Sequence, residues 1–214
     1  MVDIGKRFDE VAYRYDTPDK LERSKKIIDK LLKVLPVNKS WKVLDVGIGT
    51  GNTAVYLSPH VKEIIGTDLS EGMLSVLKEK IDKMNIKNIK VFKKDILKED
   101  FQETGFDLIF NAMTMHHIDY PQEAIKRFKK FLKKDGYIVI VDLYKEDGTF
   151  HSDNTDVKHF GFSFDEVKSW FDSEKLETVF IDNIYTIKKI REGEEREYPV
   201  FMAVGRSNLQ APQK

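Results

Sequence analysis

The stretch Val43–Ala54, VLDVGIGTGNTA, is an apolar run that ends in an acidic residue and then in three alternating glycines. Gly47, Gly49 and Gly51 permit positive backbone torsions, and they let the main chain approach a ligand with no Cβ in the way. A helix that follows such a loop offers unpaired backbone amides. The stretch predicts a strand, a ligand-binding loop and a helix; a glycine-rich turn without a ligand is the alternative.

Composition limits the classes of protein that this chain can belong to. The 214 residues suffice for one hydrophobic core, so we expect a single domain. The 36 basic and 36 acidic residues cancel, and no net field attracts nucleic acid or membrane. The absence of cysteine excludes disulfides, thiolate metal sites and a cysteine nucleophile. The charged start MVDIGKRFDEVAYRYD does not resemble a signal peptide, and we expect a soluble, cytoplasmic protein with no membrane span and no nucleic-acid partner.

Strand-like and helix-like segments alternate along the chain, which predicts an α/β fold with a parallel sheet. The strand-like segments are KVLDVG, VKEIIGTD, IKVFKKD, FDLIFNAM and YIVIVDLY. Near the end, LETVFIDNIYTIKKI and REYPVFMAVGR flank the charged turn REGEE, which predicts an antiparallel hairpin. The sequence therefore predicts a mostly parallel sheet with an antiparallel C-terminal edge.

Several residues predict where helices begin and end. Thr17 is a candidate N-cap with Pro18 at the first helical position, and Ser70 is a candidate N-cap for a later helix. Ser163 and Glu166 have the spacing of a capping box. Gly136 stands where a left-handed C-cap would end the helix that Pro121 opens.

The spacing of the glycines separates two kinds of cofactor. A dinucleotide site requires G-x-G-x-x-G, but counting from Gly47 the last position falls on Asn52. The observed D-x-G-x-G-x-G, from Asp45 to Gly51, instead resembles the first motif of the class I S-adenosylmethionine-dependent methyltransferases. The resemblance covers residues 7–206, and FDEVAYRYD near the start is similar to the small-molecule subgroup that includes quinone-biosynthesis methyltransferases. It implies a Rossmann-like fold of seven strands with helices on both faces of the sheet.

The resemblance also implies which residues bind the cofactor, S-adenosyl-L-methionine, whose product is S-adenosyl-L-homocysteine. The glycines would contact the amino acid part, Asp68 the ribose hydroxyls and Asp95 the adenine amino group, although Asp68 could simply cap a helix. The full set is Asp45, Gly47, Gly49, Gly51, Asp68, Leu69, Met73, Asp95, Ile96, Asn111 and, in an N-terminal lid, Tyr15.

Catalytic residues are harder to predict, because methyl transfer depends mainly on alignment and a general base is optional. Candidates for a base or for positioning the acceptor are His116, His117, Tyr144, His151 and His159. We expect no metal site, since adjacent histidines cannot easily bind one ion together and no carboxylate lies at ligand spacing. The segment 145–163 is long for a plain connection; it is predicted to be a lid or substrate loop, with a partly disordered excursion as the alternative.

Within the single domain we expect an N-terminal helical lid (1–36), a cofactor-binding half (37–145), a substrate loop with a helix and hairpin (146–206) and a tail (207–214). The predicted function is methyl transfer to a small-molecule acceptor by a monomer or homodimer. The alternatives are an NAD-dependent oxidoreductase of Rossmann type and a catalytically silent, methyltransferase-like regulatory subunit.

Overall fold

The computed structural model describes residues 4–207, so the predicted tail, apart from Ser207, lies outside the described residues. The chain divides into two units, Met1–Gln102 and Glu103–Lys214. The division into lid, cofactor-binding half and substrate-binding part stays a prediction.

From residue 4 onwards, the first unit contains three parallel strands and four α-helices. The strands are β1 (Lys42–Val46), β2 (Glu63–Asp68) and β3 (Ile89–Lys93), in the order β3-β2-β1. The helices are α1 (Ile4–Val11), α2 (Pro18–Val34), α3 (Asn52–Leu57) and α4 (Glu71–Lys83). Asp45 pairs in register with Gly66, and Asp68 with Lys93. Because the strands are parallel, the carboxyl ends of all three lie at one edge, where the glycine loop begins.

The second unit contains the other four described strands and two α-helices. These elements are β4 (Phe106–Ala112), β5 (Leu132–Leu143), β6 (Leu176–Arg191), β7 (Glu194–Ser207), α5 (Pro121–Lys129) and α6 (Phe164–Ser173). β4 and β5 are parallel, whereas β7 is antiparallel to both β5 and β6. The β6–β7 turn places Glu192 and Gly193 at φ +52° and +85°, the left-handed torsions of a two-residue hairpin. The predicted parallel strands and C-terminal hairpin are thus confirmed.

The predicted helix starts are confirmed by hydrogen bonds. The Thr17 hydroxyl accepts from the amide of Lys20, and the Ser70 hydroxyl accepts from the amide of Met73. Ser163 and Glu166 form both bonds of a capping box at the start of α6.

The predicted C-cap at Gly136 is wrong. Helix α5 already ends at Lys129, and β5 begins at Leu132, so Gly136 lies within a strand. The left-handed residue is its neighbour Asp135, at φ +61°. A glycine is needed at 136 for space, since a Cβ there would lie 2.8 Å from Cγ of Leu132.

Apolar side chains from the strands form the buried core; Val43, Leu44, Ile64 and Ile109 are almost completely shielded from solvent. Between residues 4 and 207, no helix has both the length and the apolar character that crossing a bilayer requires.

Candidate functional site

The glycine loop follows β1 and leads into α3. Gly47, Gly49 and Gly51 have φ values of +72°, +55° and +73°, the left-handed region that the sequence predicts for them. A Cβ built on Gly49 has no heavy atom of the described residues within 4 Å, whereas one on Gly51 would lie 2.3 Å from Cδ1 of Leu77. Gly49 therefore leaves open space beside the main chain, and Gly51 is required for packing against α4.

Asp68, at the end of β2, holds two loops together. Its Oδ2 accepts a hydrogen bond of 2.8 Å from the amide of Gly49, and its Oδ1 accepts one of 2.9 Å from the amide of Ser70. Burial raises the pKa of the Asp68 carboxyl, and these backbone amides partly counter the effect. Each carboxylate oxygen has a second lone pair, so Asp68 retains the capacity to accept hydrogen bonds from a ligand.

Asp45 lies at the buried end of β1 with 2% of its surface exposed. Its Oδ2 has no hydrogen-bond partner among residues 4–207. Burial, together with the nearby charge of Asp68, raises the pKa of Asp45 to about 8. A buried acceptor without a donor is costly, and a ligand with N–H or O–H donors can supply one.

The N-terminal segment is tied to this loop through two aspartates that sequence analysis did not single out. Asp16 Oδ1 accepts from Thr50 Oγ1 at 2.6 Å and from Asn52 Nδ2 at 2.7 Å, and its Oδ2 pairs with Lys80 Nζ at 2.5 Å. Asp9 accepts from Ser70 Oγ at 2.6 Å and from the amide of Gly72. Both aspartates belong to the quoted motif FDEVAYRYD, but their partners lie 34 to 64 residues away, so no local pattern reveals these contacts.

The remaining predicted cofactor residues of the first unit differ in exposure. Leu69 is 39% exposed, whereas Met73 and Ile96 are buried. Asp95 follows β3, where its Oδ1 accepts from the amide of Leu97. Tyr15 is partly buried, with Lys20 Nζ 3.2 Å from its ring centroid.

In the second unit, the segment that follows β5 is held by hydrogen bonds within itself and to His116. Glu146 Oε2 accepts from the amides of Gly148, Thr149 and Phe150, and the amide of Glu146 donates to the carbonyl of Phe160. The amides of residues 158 and 159 donate to the carbonyl of His116.

Two predicted residues of the second unit lie in well-packed surroundings. Asn111 is completely buried in β4. The Tyr144 ring packs edge-on against Phe164, with 5.1 Å between centroids.

Three of the candidate catalytic histidines lie together. The ring centroids of His116 and His117 are 4.2 Å apart, and those of His116 and His151 are 5.1 Å apart. Burial, followed by the effect of the neighbouring imidazoles, lowers the pKa of His117 to about 4 and that of His151 to about 3. Both rings are therefore neutral at pH 7. His159 is separate: its Nε2 lies 3.0 Å from the carbonyl oxygen of Ile118.

A cavity of about 690 Å³ is also present in the second unit. Its walls carry both charges and aromatic rings, among them Lys145, Lys158, His159, Glu166 and Trp170. Most of the lining comes from the start of α5, the predicted substrate loop and α6.

Comparison with known proteins adds sequence evidence. Residues 43–136 match the model of a methyltransferase domain. An uncharacterised methyltransferase of Schizosaccharomyces pombe is 32% identical over 154 residues, which are 66% of this chain and 54% of that protein. A demethylmenaquinone methyltransferase of Staphylococcus aureus is 30% identical over 145 residues, which are 65% of this chain and 59% of that protein. The chain thus spans between half and two thirds of the length of these curated relatives.

A solved structure adds evidence on the fold. A SAM-dependent methyltransferase from Aquifex aeolicus superposes with a TM-score of 0.72 at 24% identity, covering 93% of this chain and 98% of that chain. At this identity the likeness establishes the fold alone. The predicted Rossmann-like architecture, with seven strands and an antiparallel C-terminal pair, is confirmed.

Proposed function

Because residues 43–136 match a methyltransferase domain and the fold is that of a SAM-dependent methyltransferase, we propose that the protein is a class I S-adenosylmethionine-dependent methyltransferase. We propose that it transfers a methyl group from this cofactor to a small-molecule acceptor. The observation that carries the proposal is the arrangement of Gly49, Asp68 and Asp45 at the carboxyl ends of β1 and β2. In open parallel sheets this is the edge at which ligands bind.

The residues present fit the cofactor. Its methionine end carries an ammonium and a carboxylate, and its ribose carries two hydroxyls. The open space beside Gly49 admits a ligand directly against the main chain, and the unpartnered Oδ2 of Asp45 provides an acceptor at the end of β1. Asp68 accepts from the ribose hydroxyls with the lone pairs that its two backbone amides leave. We further propose that Leu69, Asp95 and Ile96 line the adenine side.

Hydrogen bonds from the N-terminal segment, residues 4–17, hold this loop in place. Through Asp16, Thr50 and Asn52 the segment fixes the start of α3, and through Asp9 it fixes the start of α4. Because these segments are already held in place, less conformational entropy is lost when the cofactor binds, which favours affinity. Tyr15 belongs to the same segment, and a contact with bound cofactor stays a prediction.

The bound cofactor supplies a methyl group on a sulfonium, a good leaving group for an in-line displacement. What remains for the chain is to align an acceptor, and alignment contributes on the order of 7 to 11 kcal/mol in favourable cases. The mixed lining of the 690 Å³ cavity supports an acceptor with both polar and aromatic surface. We propose that this cavity binds it. His159 lines the cavity and is a candidate positioning residue, whereas Tyr144 is not part of the lining and its positioning role stays a prediction. A general base is not required for every acceptor.

The small-molecule class rests on two supports. One relative is named for demethylmenaquinone, a small molecule. The chain has a formal net charge of zero, so it lacks the overall positive field typical of nucleic-acid binders. We further propose a cytoplasmic location, which the cysteine-free composition supports. We also propose that the protein is a monomer or a homodimer.

Calorimetric titration with S-adenosylhomocysteine tests the proposal, with NAD⁺ as the competing ligand. We expect saturable binding of the first compound with one site per chain and no binding of the second. The reverse result would favour the oxidoreductase. Turnover of labelled cofactor over a panel of quinols, carboxylic acids and amines then separates an active enzyme from a silent regulatory subunit.

A further inference from the structure

The three histidines of the second unit come from two different segments. His116 and His117 end the short 3₁₀ helix Met115–His117 after β4, and His151 lies in the segment after β5. Each ring offers a nitrogen, and these three nitrogens all lie within 4.8 Å of one another. Adjacent histidines diverge in a strand, but the tight turn of a 3₁₀ helix brings this pair onto one side, with their ring centroids 4.2 Å apart.

Oxygen atoms behind two of the rings fix their tautomers. His116 Nδ1 lies 2.7 Å from Oδ1 of Asp142, which is completely buried. His117 Nδ1 lies 3.0 Å from the carbonyl oxygen of Asp156 and 3.5 Å from its Oδ2. A carboxylate or carbonyl oxygen can only accept, so Nδ1 donates in both rings and Nε2 is the nitrogen left to bind a metal ion. Metal-binding histidines show this pattern, in which an oxygen acceptor orients the ring and makes it a better ligand.

The third ring, that of His151, differs from the other two in its hydrogen bonding. Nδ1 of His151 is buried, and no residue between 4 and 207 makes a hydrogen bond to it. A buried ring nitrogen without a partner is unusual in a native protein, and a bound metal ion can supply the missing partner. The two acids, Asp142 and Asp156, also place carboxylate oxygens beside the rings of His116 and His117.

We propose that His116, His117 and His151 bind one divalent transition-metal ion, with Zn²⁺ as the preferred ion. Zn²⁺ takes three imidazole ligands at about 2.0 to 2.1 Å, so a tetrahedral site needs nitrogens about 3.4 Å apart. The present separation of up to 4.8 Å must shorten to this value, so metal binding requires small rotations of the side chains. Three protein ligands leave a fourth position for water or for an oxygen, nitrogen or sulfur atom of a small ligand. The site does not depend on the proposed methyl transfer.

Metal titration of the 214-residue chain tests the proposal. The protein is treated with a chelator, dialysed and titrated with Zn²⁺ in a calorimeter, and Co²⁺ is added separately as a visible-light probe of coordination. We expect one equivalent of Zn²⁺ per chain, displacement of Co²⁺ by Zn²⁺, and a Co²⁺ spectrum with the intensity of a four-coordinate ion. A higher melting temperature with Zn²⁺ should accompany binding.

Matched variants locate the ion. His151→Gln should reduce affinity by more than the roughly 10- to 100-fold expected for Asp142→Asn, which removes only an orienting acceptor. His60→Ala, at an exposed position of the first unit, and His159→Gln should bind like the unaltered protein. Circular dichroism confirms that each variant is folded, and the Asp142 variant gives a second test with all three ligands retained. Failure of the unaltered protein to bind Zn²⁺, or binding by His151→Gln at the same affinity, would overturn the proposal.

Discussion

The glycine-loop cluster of the first unit and the histidine cluster of the second are built in opposite ways. In the first, backbone amides and a missing Cβ shape the site, and carboxylates such as Asp68 brace the main chain. In the second, side chains supply the chemistry, and acids such as Asp142 brace imidazole rings instead. Main-chain sites depend on torsions that only glycine adopts easily, whereas side-chain sites depend on which rings meet.

This difference has consequences for substitution. Adding one methyl group to a loop glycine should reduce stability or ligand binding at the first cluster. Metal binding at the second cluster should weaken only when an imidazole ring, or the acid that accepts its hydrogen bond, is removed. The four predictions below concern the first cluster, and the metal titrations probe the second.

The first prediction compares the stability of alanine variants at two loop glycines, Gly49 and Gly51. Gly51→Ala places a Cβ against buried Leu77 in a left-handed backbone, and it should lower the free energy of unfolding by about 2 to 4 kcal/mol. Gly49→Ala meets no atom and should cost only about 1 to 2 kcal/mol, but its methyl group occupies the space proposed for the cofactor. Urea unfolding and calorimetry with S-adenosylhomocysteine separate the two. Equal stability losses would show that Gly51 has no special packing role.

Asp68→Asn should weaken S-adenosylhomocysteine binding by about 1 to 3 kcal/mol. An amide has one oxygen where the carboxylate has two, so either the Gly49 or the Ser70 amide loses its acceptor, and the negative charge is lost as well. The control is Asp82→Asn, an exposed change on α4. If both variants bind with unchanged affinity, Asp68 does not contact the ligand.

Asp45 should make the stability of the ligand-free protein depend on pH. Its pKa is about 8 in the folded chain and about 4 when unfolded, so between these values only the folded state retains the proton. This contribution to stability is complete below pH 4, declines as pH rises towards 8 and is then lost. Asp45→Asn removes the dependence, so its urea midpoint relative to the unaltered protein should rise from pH 4.5 to pH 8. A constant difference would show that Asp45 titrates normally.

The smallest loss of stability is expected from a substitution at Asp16, in the N-terminal segment. Burial acts to raise the pKa of Asp16, but hydrogen bonds from Lys80, Thr50 and Asn52 outweigh it and lower the pKa. Asp16→Asn should cost about 1 to 2 kcal/mol and speed hydrogen exchange in residues 4–16. Glu22→Gln, which removes the exposed pair with Lys26 on α2, should change neither measurement. Hydrogen exchange as slow in the Asp16 variant as in the unaltered protein would show that Asp16 does not hold the N-terminal segment in place.

Local chemistry made much of the fold predictable. The caps at Thr17, Ser70 and Ser163 depend on residues three positions away, and the strands depend on unbroken apolar runs. The error at Gly136 shows the limit of such reasoning: a glycine after a helix predicts a cap, but here it provides room for the side chain of Leu132. Neighbours in space, rather than in sequence, decided that position.

The candidate sites divide in the same manner. Asp45, the three glycines and Asp68 stand at fixed distances along a strand, a loop and the next strand, so the sequence determined that they would share one edge. The pairings of Asp16 with Lys80 and of His116 with Asp142 and His151 join residues from 26 to 64 positions apart. Only the tertiary structure decided these contacts. The physical reason is that backbone torsions and strand direction are set by neighbouring residues, whereas the meeting of distant side chains depends on how separate segments pack.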